Sequence, residues 1–327
     1  MDSYTKNIIN FNRQLNLRAI NLENLAGLSS HNQKPDALVV AGMGGSGMVG
    51  NLLQNLSHYV KLPVPVFLWK DFGLPPQLPT KRPLCLFISF SGSTQETISG
   101  FKRARELKPK PKIAVVSGGG ELGALARDFK IPLALFSKGT LVPRQANGLM
   151  FYGALGILKH IWPQIQAPDL SKKINPKKFE RLGFKLAKKI GRKTILVYTS
   201  SANSHLGYHF KTRLNETGKT LAFSHTLPEL NHNEITGFEL KPKNLITLYL
   251  ADDADAPKIK SVFPITLKLI KKFGTPWALV KLTGKTALEK TMNAIVLADW
   301  VSYGLAKIKK INPEKNRIVE MIKELTH

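Results

Sequence analysis

Two short stretches concentrate the side chains that could do chemistry. In GMGGSG, Gly42, Gly44 and Gly47 fit the G-x-G-x-x-G spacing of a phosphate-binding turn between a strand and a helix. In SFSGSTQET, the hydroxyls of Ser89, Ser91, Ser93, Thr94 and Thr97 gather around Gly92, again where an apolar run gives way to a helix-like one. Both suit an anion, offering free backbone N–H groups, the positive end of a helix and, in the second, hydroxyl donors. The first alone would serve a dinucleotide, and Asp71, just after the run VPVFLW, stands where an acidic residue would meet the ribose. The second stretch tips the balance. A dinucleotide has no use for another anion cradle, whereas a monophosphate held between two strand ends does. Ser93 has a competing role, since Glu96 three residues on completes a capping box and makes Ser93 a helix cap. The phosphate is therefore expected on Gly45, Ser46, Ser89, Ser91 and Thr94.

Proton-transfer candidates lie further along. Glu216 ends the helix-like run SANSHLGYHFKTRLNE, and Gly218 is a plausible stop. A carboxylate there meets the negative end of the helix dipole, which is expected to raise its pKa towards a value useful in a base. An exposed helix-end glutamate with no such role would look the same. His205, His209, His225 and His232 can each titrate near neutrality, and their chemistry alone does not choose between them. No H-x-H or H-E-x-x-H spacing offers a metal site.

These residues need rigid elements to hold them. Apolar strand-like runs at 36–43, 64–69, 83–90, 112–117 and 131–136 alternate with helix-like segments such as MVGNLLQNL and TQETISGFKRAREL. A second set runs at 193–200, 219–224, 244–251 and 277–282, followed by helical sequence from about 286 to 326. Continuous apolar strands alternating with helices predict α/β architecture, with doubly wound parallel sheets covered by helices on both faces. The proline- and lysine-rich IWPQIQAPDLSKKINPKKFE separates the sets. The expected division is an N-terminal domain over 1–160, a linker over 161–178 and a C-terminal domain over 179–327.

Composition narrows the function classes. The 327 residues carry a net charge of +26 and a single cysteine, Cys85, in the apolar run PLCLFISF. One cysteine excludes an internal disulfide and reads as a buried small hydrophobe. No apolar run approaches the roughly 20 residues that span a bilayer, and the N-terminus lacks the order of a signal peptide. A cytoplasmic protein with no membrane partner is expected. The charge permits nucleic-acid binding, but the clusters KRARELKPKPK, KKINPKK and KIKKINPEK are separated by whole elements, and no zinc-finger or RNP-like pattern accompanies them. A lysine-rich surface is the simpler reading.

GMGGSG followed by SFSGSTQET resembles the sugar isomerase (SIS) domain, which binds phosphosugars. VPRQANG (142–148), RLNETGKTLAFSHTLPELNHNEITGFE (213–239) and LADWVSYGLAKIKKINP (297–313) narrow the resemblance to the bifunctional phosphoglucose/phosphomannose isomerase family, over about 36–324. The resemblance implies two SIS-type, flavodoxin-like domains and aldose–ketose isomerisation of a sugar phosphate through a cis-enediolate, with no cofactor and no required metal. It implies Glu216 as the base and His232, within PELNHNE, as the ring-opening acid/base, reaching the site of a second subunit in a homodimer. It sets Arg144 beside the enediolate, where the alternative is a surface arginine. Lys309 matches a basic residue before a G-x-D-P-like turn, but Lys310 replaces the glycine and Asn312 the aspartate, so Lys307 or Lys310 could hold that role. Ser302 matches a small hydroxyl residue linked to acceptance of both C2 epimers. Ser117 matches another family position, or caps the following helix.

Rival readings make different demands. A phosphosugar-sensing regulator usually carries an added DNA-binding helical domain, for which 1–35 is too short. Glucosamine 6-phosphate synthesis needs a glutamine-hydrolysing domain with an N-terminal cysteine. A dehydrogenase on the Gly42–Gly47 turn needs a nicotinamide. In thermal melts, fructose 6-phosphate is expected to raise the midpoint while NAD leaves it unmoved; the reverse result restores the dinucleotide reading.

Overall fold

The computed structural model describes residues 2–28 and 34–325. Residue 326, the last of the expected closing helical segment, and residue 327 lie outside the described residues. The chain divides into two compact units: Ile9–Ile174, and Asn175–His327 together with the first residues up to Ile8. Helix α1 (Ser3–Ile9) opens the chain; Tyr4 stacks on Tyr303 at 5.8 Å, and its hydroxyl lies 2.7 Å from that of Thr217.

In the Ile9–Ile174 unit the elements run β1 (Asn21–Glu23), β2 (Ala37–Ala41), α2 (Gly44–Asn55), β3 (Val66–Trp69), β4 (Pro83–Ser89), α3 (Gln95–Glu106), β5 (Lys112–Ser117), α4 (Gly120–Asp128), β6 (Leu133–Leu135) and α5 (Asn147–Ile161). The sheet order is β1-β6-β5-β4-β2-β3. All pairs are parallel except β1 with β6, where Leu22 faces Ala134. Every residue of β2 and β4 is buried, as strands covered on both faces must be. Ile98, Phe101, Ala104, Leu122 and Ala126 of α3 and α4 pack one face around Val39, Phe87 and Val115. The antiparallel β1 is absent from the sequence expectation, because three residues carry no readable period.

The chain winds from β2 outward to β3 on one side and through β4, β5 and β6 on the other. The winding reverses between β2 and β4, and ligands of such sheets bind beyond the strand ends at that switch point. The glycine turn follows β2 and the serine stretch follows β4.

The other unit contains α6 (Glu180–Ile190), β7 (Thr194–Ser200), α7 (Ser204–Glu216), β8 (Ala222–Leu227), β9 (Leu245–Ala251), α8 (Pro257–Lys272), β10 (Trp277–Lys281), α9 (Ala287–Lys309) and α10 (Arg317–Leu325). Its four strands are parallel in the order β10-β9-β7-β8. Strand β8 starts three residues later than the expected 219–224, because Gly218–Thr220 are spent on the turn that ends α7: Lys219 has a left-handed φ of 44°, and the Thr220 hydroxyl donates to the Gly218 carbonyl. Helix α9 is buried almost all round; its Trp300 indole donates to the Pro176 carbonyl and its Asp299 pairs at 2.5 Å with Arg213 of α7, both fully buried.

His205 and His209, one turn apart on α7, are also buried. Burial lowers the His205 pKa from 6.5 to about 4 and holds His209 well below its usual value, with repulsion from Arg213 and His205 added. Between these values and 6.5 the unfolded chain takes up protons that the folded chain refuses, so stability falls as pH drops through that window. His205 alone accounts for about 3 kcal/mol. The urea midpoint is therefore expected to fall steadily from pH 7 to 4.5, less steeply in His205→Gln; equal slopes in the two proteins would remove His205 from the balance.

Candidate active site

Gly44 to Gly47 are the first turn of α2 rather than a loop. Met43 at the cap position makes no side-chain cap, and an N-terminal helix turn of this kind, with the N–H groups of Gly45 and Ser46, suits an anion. The Ser46 hydroxyl is otherwise used. It accepts the Phe90 N–H at 3.0 Å and sits 3.4 Å from the Met150 sulfur, tying α2 to the serine stretch. The Asn147 amide holds the Gly45 carbonyl at 2.8 Å, a contact the sequence reading missed.

The serine stretch folds back on itself. Ser89, fully buried at the end of β4, accepts the Gly92 N–H at 3.0 Å and lies 3.0 Å from the Thr94 hydroxyl. Half-buried Ser91 accepts from the Ser93 N–H and hydroxyl at 3.2 and 3.0 Å. The capping-box expectation is corrected: the cap residue of α3 is Thr94, one residue later, and no side chain caps the helix because the Thr94 hydroxyl is turned to Ser89. Ser117 is no cap either; its hydroxyl donates to the carbonyls of Ser89 and Gly119, joining the ends of β4 and β5. Gly92, at φ 75°, is pressed against the loop before α4, where a Cβ would come within 1.6 Å of the Gly119 carbonyl. Two uncapped helix starts and a ring of hydroxyls thus gather beyond β2 and β4.

Arg144 lies on a single 3-10 turn, Pro143–Ala146. It is 2% exposed, so the surface-arginine alternative fails, and its backbone sits 3.1 Å from where a Cβ on Gly45 would be. The structure thereby brings Arg144 to the start of α2.

The switch point of the other sheet has the opposite electrostatics. Beyond β7 and β9, the Ser200 hydroxyl donates to Asp255 at 2.5 Å, the Asn203 amide reaches both Asp255 and Asp252, and Lys290 pairs with Asp252. Two carboxylates fill the position that hydroxyls line in the first unit, which disfavours an anion.

Glu216 is half-buried at the last position of α7, and the Asn316 amide donates to its Oε2 at 3.2 Å. The Lys309 ammonium donates to the carbonyls of Gly218 at 2.9 Å and Lys219 at 3.0 Å and bonds the Thr220 hydroxyl. Burial and, next, Arg192 lower its pKa. Lys307 and Lys310 are exposed, and the Lys307 ammonium lies over the Tyr303 ring at 5.8 Å. Lys310 takes the left-handed conformation at φ 56°, the one a glycine would adopt, and Asn312 accepts the Glu314 and Lys315 N–H groups as an aspartate would. Both departures thus preserve the turn after Lys309. Ser302 is fully buried in α9 and donates to the Asp299 carbonyl at 3.0 Å.

His232 is exposed on the short 3-10 turn Glu229–His232 that follows β8. Glu216 precedes β8, so the strand's six residues, about 20 Å, separate the two ends of the sheet on which they lie. Cys85 is buried and free, its thiol pushed up to about 12 by burial. No helix is long and apolar enough to cross a membrane, and no group of three His, Cys, Asp or Glu is placed to hold a metal, among the described residues.

Residues 179–325 match the family model described as the bacterial phospho-glucose isomerase C-terminal SIS domain. The fold is that of SIS-type phosphosugar enzymes: tagatose-6-phosphate ketose/aldose isomerase from Escherichia coli superposes with a TM-score of 0.71, 12% identity and coverage of 95% of this chain and 94% of that one. The bifunctional phosphoglucose/phosphomannose isomerase of Aquifex aeolicus is 30% identical over 292 residues, 88% of this chain and 89% of the relative. This chain belongs to the bifunctional phosphoglucose/phosphomannose isomerase family. D-glucosamine-6-phosphate 4-epimerase from Sulfolobus acidocaldarius is 28% identical, over 88% of each chain.

Removing the Ser89 hydroxyl releases both Gly92 and Thr94. In Ser89→Ala the calorimetric Kd for fructose 6-phosphate is expected to rise about tenfold, with Ser93→Ala close to wild type. Equal affinities in all three proteins would take the anion away from this cradle.

Proposed function

We infer that the chain is an aldose–ketose isomerase interconverting glucose 6-phosphate, mannose 6-phosphate or both with fructose 6-phosphate. Beyond family membership, the reading is supported by helix starts without side-chain caps beside the Ser89, Ser91 and Thr94 hydroxyls and, in the other unit, by a half-buried Glu216 that accepts from the Asn316 amide beside a lysine-braced turn.

Each residue has a part. The N–H groups of Gly45 and Ser46 and the hydroxyls of Ser89, Ser91 and Thr94 take the phosphate. His232 gives a proton to the ring oxygen and receives one from the C1 hydroxyl, which opens the aldose. Glu216 removes the proton from C2 and returns it to C1, while the hydroxyl proton moves from O2 to O1. The intermediate is a cis-enediolate, and the Arg144 guanidinium stabilises its negative charge. Lys309 fixes the turn that follows Glu216 and adds positive charge there. Ser302 is assigned to epimer tolerance; its support is its small size on the face of α9 that carries Lys309 two turns on.

The working form is a homodimer. His232 and Glu216 lie at opposite ends of their sheet, which supports His232 serving the site of a second copy. A cytoplasmic setting suits a fold whose one thiol is buried and unpaired.

Protein dialysed against EDTA is incubated with fructose 6-phosphate, mannose 6-phosphate or glucosamine 6-phosphate, and the sugars are separated by chromatography. Wild type is expected to form both aldoses from fructose 6-phosphate, and Glu216→Gln to lose on the order of 10²–10⁴-fold in kcat. Inert wild type whose melting temperature fructose 6-phosphate still raises would indicate a phosphosugar-binding regulator. Conversion of glucosamine 6-phosphate alone would indicate 4-epimerisation.

A further inference from the structure

His232 projects from a segment that is tethered on every side, although the side chain itself is exposed. Leu230 is buried beneath it. On one flank the Asn231 amide donates to the Thr266 hydroxyl of α8 at 2.9 Å. On the other, the Asn233 amide donates to Glu229 at 2.8 Å. Two residues beyond His232, Glu234 reaches back to the sheet with both carboxylate oxygens. Its Oε1 accepts the Tyr198 hydroxyl of β7, and its Oε2 accepts from His225 Nδ1 of β8 at 2.8 Å.

This arrangement costs more than a surface loop needs. Tyr198 is fully buried against Tyr249, with ring centroids 5.3 Å apart. Glu234 is about one-third exposed, a charged acceptor brought over an apolar cluster. Its bond satisfies a buried hydroxyl that would otherwise be stranded. The result is a carboxylate bridging two neighbouring strands, two peptide bonds from the imidazole that opens the sugar ring. Loose tethering would suffice to fold the segment; a bidentate bridge also fixes where His232 starts from.

We propose that Glu234, through its bridge to Tyr198 and His225, is a positioning residue for His232 in ring opening. The assignment rests on the ring-opening role of His232 given above. Glu234 touches no reacting atom; it acts only through His232. A glutamine at 234 keeps an acceptor for Tyr198 and, with His225 in its other tautomer, both bonds.

The test is a kinetic double-mutant cycle on the full-length protein, with fructose 6-phosphate as substrate and melting temperature and oligomeric state recorded for every variant. Glu234→Ala is expected to lower kcat roughly 10- to 100-fold with little change in KM. Glu234→Gln is expected within about threefold of wild type. In the His232→Ala background, Glu234→Ala is expected to cost less than about twofold more. Tyr198→Phe removes one arm of the bridge without a cavity, is expected to lower kcat in the same direction, and decides the matter if Glu234→Ala does not fold. Losses that multiply in the double variant overturn the proposal, as do wild-type rates in both Glu234→Ala and Tyr198→Phe. A wild-type rate in His232→Ala overturns the role of His232 first, and that of Glu234 with it.

Discussion

The adjacency of β2 and β4 is the constraint on which the candidate anion site depends. A parallel winding that reverses between them leaves two strand ends side by side, each opening into a helix. Both helix starts lack a side-chain cap: Met43 makes none, and the Thr94 hydroxyl is turned to Ser89. Helix ends normally take a cap worth about 1 kcal/mol. Here neither N-cap side chain makes such a bond.

The second sheet repeats the winding without repeating the site. Its switch point is filled by Asp252, paired with Lys290, and Asp255, held by Ser200 and Asn203. The proposed base of this unit lies at the other end of α7. There Glu216, Asn316 and the Lys309-braced turn are held by the packing of α7 against α9, including the buried Arg213–Asp299 pair. Removing either partner of such a pair would leave an uncompensated buried charge, so the register of the two helices, and hence the approach of Lys309 to the turn after Glu216, is strongly defended.

Departures from a family pattern can be silent when the backbone supplies what the residue would. Lys310 occupies a left-handed cap where glycine is easier, at a modest strain. Asn312 makes the turn bonds of an aspartate. Lys309 bonds the carbonyls of Gly218 and Lys219, whereas Lys307 and Lys310 are exposed; contacts of that kind are not readable from the sequence.

The sequence by itself determined the parallel strands and their order along the chain, though not the antiparallel β1, because buried parallel strands must be continuously apolar. It also determined that a glycine-rich and a serine-rich stretch each join a strand to a helix, and that Glu216 is a helix end, since these are local signals. It could not show that Gly44–Gly47 are helical, that Thr94 rather than Ser93 begins α3, or that β8 starts at Ala222, because contacts distant along the chain decided each. Tertiary structure alone buried Arg144 beside Gly45, set His232 and Glu216 at opposite ends of one sheet, and gave Glu234 its two partners. Such pairings depend on side chains distant in the chain meeting across packed elements, and no periodicity or motif encodes a distance.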